Sequence, residues 1–431
     1  MAGGKGTRIS SIAGDIPKPM IPVCGKPILE RQIECLKKNG LTEIIIVVGH
    51  LGGHIKDYFK DGSLFGCNIS YFTETEPLGT AGALFKLENL CEDFILLNGD
   101  LIFDIDFSRM IEFHREKKAW ATIAVHPNDH PYDSALIETN SDCQVTLWLN
   151  KEDERMWYKN RVNAGIHILS AVFLENCRRL SSELSAQNGT KTDLDRDMLK
   201  PSISSEKIFA YSTPEYIKDM GTPIRYAQVT SDIENGNVMR KNLSVKQKCV
   251  FLDRDGTVNA ITPGIFIKEL RQFELIDGVW DAVKKINSLG YLAIIITNQP
   301  VVARGETDIA TLDLIHMKLE TGLGKHGAYI DDLFYCPHHP NRGFEGELPE
   351  YKIECDCRKP KPGMILKAAE KYNIDLSASW MIGDDIRDVK AGKAAGCKTA
   401  LITDVKTGME TQDAPDIFCS SVKEFTEGYL R

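Results

Sequence analysis

Cys249-Val250-Phe251-Leu252-Asp253-Arg254-Asp255-Gly256-Thr257-Val258-Asn259 decides the reading of the chain. Its four leading residues form an unbroken apolar run, the pattern of a buried parallel strand. That run delivers two carboxylates, two residues apart, onto a Gly-Thr turn where both can face one small pocket. A nucleophile beside an acid/base has this form, and so does an acidic loop that merely caps a strand. The partners further along the chain decide between them.

A second apolar run, Tyr291 to Ile296, ends at Thr297-Asn298-Gln299, whose hydroxyl and amides suit a phosphoryl oxygen at the C-terminal edge of a parallel sheet. Arg304 follows in the same loop. Arg358-Lys359-Pro360-Lys361-Pro362-Gly363-Met364 offers cations for phosphate charge ahead of a helix beginning near Met364. Trp380-Met381-Ile382 leads to Gly383-Asp384-Asp385-Ile386-Arg387-Asp388, a third strand end bearing acids. Between the second and third of these stretches lie Cys336-Pro337-His338-His339 and Cys355-Asp356-Cys357. A Cys-x-His and a Cys-x-Cys across a polar loop supply four ligands for a closed, structural Zn²⁺ site, with His339 as the alternative to His338.

At 431 residues the chain is too long for one ordinary core and suggests two or three domains. A formal net charge of -9 provides no basic surface for a nucleic-acid polymer. There is no eighteen-residue apolar window and no charged-then-apolar leader, so the expectation is a cytoplasmic protein with no membrane partner. The chain has twelve cysteines; those outside the histidine cluster are scattered singly and read as reduced core residues. Oligomeric state is not legible.

The order of the Asp-x-Asp, Thr, Lys and Gly-Asp-Asp stretches resembles the haloacid dehalogenase phosphatases, all four of whose motifs match. The resemblance implies that Asp253 forms an aspartyl phosphate and that Asp255 protonates the leaving group and then activates water. Thr297, Asn298, Arg304, Arg358 and Lys359 would bind phosphate. Asp253, the backbone carbonyl of Asp255, and Asp384 would hold Mg²⁺, with Asp388 supporting them. The zinc loop narrows the resemblance to the branches acting on D-glycero-D-manno-heptose 1,7-bisphosphate and on histidinol phosphate. Thr-Asn-Gln-x-x-x-Ala-Arg-Gly and Cys-Pro-His-His-Pro lean toward the heptose branch, while Pro300-Val301-Val302 departs from its usual Ser-Gly and branched residue.

The first half opens Met1-Ala2-Gly3-Gly4-Lys5-Gly6-Thr7-Arg8, a glycine-dense stretch that lets amides approach a polyphosphate. Pro17-Lys18-Pro19 follows, then a helix from Pro27 to Asn39 and a strand from Glu43 to Val48, the rhythm of a parallel sheet. Pro77-Leu78-Gly79-Thr80-Ala81-Gly82 starts another helix. Asp100 ends a strand beginning at Phe94, Asn163-Ala164-Gly165 precedes the strand Ile166 to Leu169, and Asp219-Met220-Gly221-Thr222-Pro223 supplies a second carboxylate.

These motifs, in this order over residues 2 to 230, resemble the sugar-1-phosphate nucleotidyltransferases. The resemblance implies that Gly3, Gly4, Gly6, Thr7, Arg8, Lys18 and Gly79 hold a nucleoside triphosphate. Asp100 and Asp219 would hold Mg²⁺, and Asn163 and Gly165 would contact the sugar. Lys151 stands where the family often has a Glu-Lys-Pro lysine for the sugar phosphate, although its neighbours here are Asn150 and Glu152. Relatives begin with an apolar strand feeding the glycine loop, whereas only Met1 and Ala2 precede Gly3 here. The expectation is a half that lacks its first, central strand and transfers nucleotides poorly.

The fold expected is α/β: two doubly wound parallel-sheet domains, a Rossmann-like nucleotidyltransferase over 1–235 and a haloacid dehalogenase-like phosphatase over 248–431. A polar linker over 236–247 joins them. Removing the C7 phosphate of a heptose 1,7-bisphosphate leaves a sugar 1-phosphate that a nucleotidyltransferase consumes. The expected enzyme is therefore bifunctional, using a sugar phosphate and a nucleoside triphosphate, with GTP chosen by analogy. The alternatives are a histidinol phosphate phosphatase, and a first half that is a silent nucleotide- or sugar-binding module.

Overall fold

A computed structural model describes residues 16–188, 191–205, 207–262, 266–403 and 414–430, the side chains of 180–188 excepted. The chain forms two compact units: Met1–His126, Ile137–Leu149 and Val162–Asn242 make the first, and Pro127–Leu136, Asn150–Arg161 and Leu243–Arg431 the second.

In the second unit, strands β11 (Cys249–Leu252), β12 (Leu292–Asn298), β13 (Asp332–Cys336), β14 (Trp380–Gly383), β15 (Lys398–Ile402) and β16 (Ile417–Cys419) pair in parallel. Their order is β13-β12-β11-β14-β15-β16. Strand order reverses at β11, so its C-terminal end, beside those of β12 and β14, opens onto the switch-point crevice where ligands bind in such sheets. The unbroken apolar run of β11 follows from burial on both faces. Val250 and Leu252 join one core with Val283 and Ile315, while Cys249 and Phe251 join another with Ile365 and Tyr372. These partners come from helices α6 (Val279–Ser288), α7 (Ile309–Lys325) and α8 (Gly363–Tyr372). The segment Asn150–Arg161 is laced to α7: Tyr158 N donates to Thr321 Oγ1 at 2.9 Å, and Asn160 N to the buried Glu320 Oε2 at 2.8 Å.

In the first unit, α1 (Ile28–Lys38) packs Leu29, Ile33 and Leu36 inward at helical spacing. A mixed sheet contains β5 (Ala121–His126), β8 (Val162–Ser170) and β9 (Ile208–Ser212); β3 (Asp93–Leu97) pairs antiparallel with β8, with Ile166 opposite Leu97. Strands β1 (Glu43–Val48) and β2 (Asn68–Thr73) form a separate parallel pair. Between β1 and β3, floored by α1, is a cavity of about 670 Å³ lined by Ile44, Ile46, Ile95 and Ile33. Among the described residues no strand occupies that position.

The structure corrects some local expectations. The helix expected from Pro77 is a short 3₁₀ turn, Gly82–Lys86, because loop 78–81 is tied to residues 192–194 instead. The stretch 236–247 contains a turn of helix, Asn237–Arg240, and buries Asn242, Leu243 and Gln247. Cys24 and Cys91 are exposed rather than core residues. No helix among the described residues is long and apolar enough to cross a membrane.

Candidate active site

A cavity of about 280 Å³ at the C-terminal ends of β11, β12 and β14 is lined by Asp253, Asp255, Thr297, Asn298, Arg304, Arg358, Lys359 and Asp384. Stretches distant in sequence meet here because each follows a strand of the same parallel sheet or, for Lys359, leads into α8. Lys359 is buried with Nζ 2.8 Å from Asp253 Oδ1 and 2.5 Å from Asp388 Oδ1, and it also donates to Ile296 O at 2.7 Å. Burial works against its charge, but the two carboxylates overcome that and hold the ammonium above its ordinary range. Asp388 is pushed up to about 7 by burial, Lys359 drawing it down and Asp253 adding repulsion. Burial and then Asp253 raise Asp384 to about 6.

Carboxylate oxygens of Asp253, Asp384 and Asp388 lie within 4.8 Å of one another, a hard-oxygen set that fits a divalent cation. Gly256, with φ +80°, lets the turn close over this set; a Cβ there would stand 2.1 Å from Asp384 Oδ2. The Asp255 carboxylate is not part of the trio. It turns toward Arg254 and Gln299.

Asn298 reaches the cavity but exchanges hydrogen bonds with the main chain of Lys359, accepting from N and donating to O, both at 3.0 Å. Its amide fixes the lysine loop in addition to any phosphate contact. Arg304 is sandwiched between Phe266 and Phe344, 4.7 Å from each ring centroid. Arg387, which sequence reading did not single out, also lines the cavity and pairs with Asp385 at 2.8 Å.

Cys336, His338, Cys355 and Cys357 also gather their ligand atoms within 4.8 Å. The sulfurs stand 3.2 to 3.5 Å apart, too far for a disulfide and close to the roughly 3.8 Å edge of a tetrahedron with about 2.3 Å Zn–S bonds. His338 Nδ1 is 3.3 Å from Cys357 Sγ. His339 is not in this group; its Nε2 is 3.5 Å from Arg304. The cluster ends one residue before Arg358, which donates to His338 O at 3.1 Å.

In the first unit, Gly3, Gly4, Gly6, Thr7 and Arg8 lie outside the described residues. Lys18 Nζ is 2.5 Å from Asp100 Oδ2. The main chains of Asp100 and Asp219 adjoin through Met220 N to Asp100 O at 2.9 Å. Both oxygens of Asp219 accept from Arg225, at 2.8 and 2.7 Å, a partner that the metal assignment did not foresee. Asn163 Oδ1 accepts from Gly165 N at 3.1 Å, and its Nδ2 donates to Asp195 at 3.2 Å. Asp195, raised to about 6 by burial and then by Asp193, is an acid that sequence reading missed. Its signal was the alternating run Asp193-Leu194-Asp195-Arg196-Asp197. The Gly79 loop joins the same region, with Ala81 N donating to Thr192 O at 3.0 Å. Lys151 is exposed in the second unit, 3.6 Å from Glu152, whereas Asn163 and Gly165 belong to the first.

Comparison with known proteins matches the nucleotidyl transferase family model over residues 1–236 and the HAD-hydrolase-like model over 356–425. The D-glycero-beta-D-manno-heptose-1,7-bisphosphate 7-phosphatase of Salmonella typhi is 37% identical over 179 residues, 41% of this chain and 91% of that protein. The phosphatase of the same name from Pasteurella multocida is 42% identical over 162 residues, 38% of this chain and 83% of that protein. Among solved structures, HddC from Yersinia pseudotuberculosis is 28% identical with a TM-score of 0.45, covering 54% of this chain and 96% of that one. The chain therefore belongs to the nucleotidyl transferase family through residues 1–236 and, in its second half, to the haloacid dehalogenase-type hydrolases that include these phosphatases.

Proposed function

We propose that this chain removes the C7 phosphate of D-glycero-D-manno-heptose 1,7-bisphosphate and transfers a nucleotidyl group, GMP from GTP, to the heptose 1-phosphate that results. The observation carrying the first activity is the gathering of Asp253, Lys359, Asp384 and Asp388 in one cavity. Relatives 37% and 42% identical over this half support the heptose substrate over histidinol phosphate.

In this reading an Asp253 oxygen attacks phosphorus and the ester P–O bond breaks. The electron pair leaves with the C7 oxygen, which takes the proton of Asp255 and departs as an alcohol. Asp255 then accepts a proton from water, whose oxygen attacks the aspartyl phosphate, releasing inorganic phosphate and restoring the Asp253 carboxylate. Lys359 holds Asp253 in place and offsets phosphoryl charge, and Thr297 donates to a phosphoryl oxygen. Asp253 and Asp384, with the Asp255 carbonyl, would hold Mg²⁺, which when bound neutralises the charge that keeps an anionic nucleophile from an anionic ester. Cys336, His338, Cys355 and Cys357 would hold a structural Zn²⁺ that pins the loop carrying Arg358 and Lys359. The twelve free cysteines fit a reducing, cytoplasmic setting.

For the first half, Lys18, Gly79, Asp100, Asn163 and Gly165 would serve nucleotide, metal and sugar as the family motifs imply. A second reading, a module that binds without turnover, draws on the Asp219–Arg225 pair, which engages both oxygens of one proposed cation ligand. Incubating the protein with heptose 1,7-bisphosphate, Mg²⁺ and each nucleoside triphosphate in turn separates the readings. Phosphate, pyrophosphate and a nucleotide sugar are expected with GTP. Phosphate alone would leave the binding-module reading, and no phosphate would sink the phosphatase assignment.

A further inference from the structure

Arg254 lies between the two reacting aspartates, yet its side chain is completely buried. Its guanidinium reaches Asp255 through both ends of the carboxylate: Nε to Oδ1 at 3.1 Å, and Nη2 to Oδ1 at 3.0 Å and Oδ2 at 2.9 Å. Nη2 also donates to Gln299 Oε1 at 2.9 Å, which turns the amide so that Gln299 Nε2 donates to Asp255 Oδ2 at 2.8 Å. The same Nε2 lies 2.9 Å from Thr297 Oγ1, tying the acid/base to the phosphate-facing hydroxyl. The last guanidinium nitrogen, Nη1, is 3.1 Å from Nε2 of His316 on α7. His316 is 3% exposed, and burial, then the Arg254 cation, press its basicity well down, so the ring is neutral and Nε2 accepts.

We propose that Arg254, Gln299 and His316 are positioning residues for the general acid/base of the phosphatase reaction, fixing the plane and direction of the Asp255 carboxylate. A free aspartate side chain rotates about two bonds, and proton transfer to a leaving oxygen needs one rotamer. A planar fork bonded to both carboxylate oxygens removes that freedom, which a lysine's point charge would not do. Gln299 fixes the second oxygen, and His316 anchors the far side of the fork. Meanwhile the Arg254 main-chain N donates to Asp253 Oδ1 at 2.8 Å, so one residue orients nucleophile and acid/base together.

The proposal rests on the phosphatase reading of this cavity, and its test is a leaving-group comparison. A nitrophenolate leaves without a proton, whereas a sugar alkoxide needs one. The full chain and its Gln299→Met, His316→Leu and His316→Gln variants are assayed for kcat/KM with p-nitrophenyl phosphate and with the heptose bisphosphate. Gln299→Met and His316→Leu should lose about tenfold or more on the sugar ester beyond any loss on the aryl ester. His316→Gln, which restores an acceptor for Arg254, should recover most of that difference. Equal losses on both esters, no loss, or a Gln variant no better than Leu would overturn the assignment. Should Gln299→Met not fold, the two His316 variants decide. An unaltered chain inactive on both esters would instead overturn the phosphatase reading itself.

Discussion

Replacing Lys359 with Met keeps the side chain's length while removing the one ammonium bonded to both Asp253 and Asp388. Taking one partner from a buried ion pair costs about 3 to 5 kcal/mol, because the remaining charge stays buried. Here Asp388 offers a partial escape: it is already pushed up to about 7, and without the lysine it holds a proton to still higher pH. The sign follows. Above pH 7 the folded variant carries a proton that the folded wild type has shed, so the variant's deficit grows with pH by about 1.4 kcal/mol per unit until its own carboxylate ionises. A loss of about 3 kcal/mol corresponds to roughly 6 to 12 °C in the melting temperature of a unit of this size. Thermal unfolding in chelator at pH 7 and pH 8 reads the stability, and phosphate release with Mg²⁺ reads the chemistry, which should fall about a hundredfold or more. An identical melting point, a deficit that shrinks between pH 7 and 8, or activity within a few fold of wild type would refute this account of the lysine.

Cys355→Ser should lower bound zinc measured by atomic absorption and, through the loop into Arg358 and Lys359, phosphatase activity; a full zinc complement would exclude this ligand set. Since burial and Asp253 raise Asp384 to about 6, protons compete with Mg²⁺ there, and the half-saturating Mg²⁺ concentration should climb as pH falls through 6, by up to about tenfold per unit. A flat Mg²⁺ requirement would contradict the proposed cation ligands.

The strand ends that line the cavity were legible because Asp253, Thr297 and Asp384 each follow an apolar run, whereas Arg358 and Lys359 follow a polar loop and were marked only by their charge. Val250 to Leu252 and Ile294 to Ile296 are buried on both faces, so pattern alone located the strand ends that carry Asp253 and Thr297. The inner network was less legible. Arg254 resembles any solvated arginine in sequence, and only packing reveals that it is sealed beneath the turn. Asn298 and Gln299 both read as phosphate donors, and spacing gave no sign that their amides also bond to Lys359 and Asp255. In the first half the reading was less accurate: Asn163-Ala164-Gly165, expected to precede a strand, lie within β8 at a shift of register against β5. That Arg225 would sit on Asp219, or Asn163 on Asp195, depends on tertiary closeness that spacing does not encode.

The sequence of β1 bears on how this protein behaves in handling. Glu43–Val48 reads Glu-Ile-Ile-Ile-Val-Val, a run with one charge at its tip, and Ile45 is 38% exposed. Its five apolar residues, all β-branched and without proline or lysine, form a segment on which strands of other molecules stack once local opening uncovers it. Losses during purification should therefore rise with temperature and mild denaturant as well as with concentration, and a gatekeeping Ile45→Lys substitution would be the first remedy.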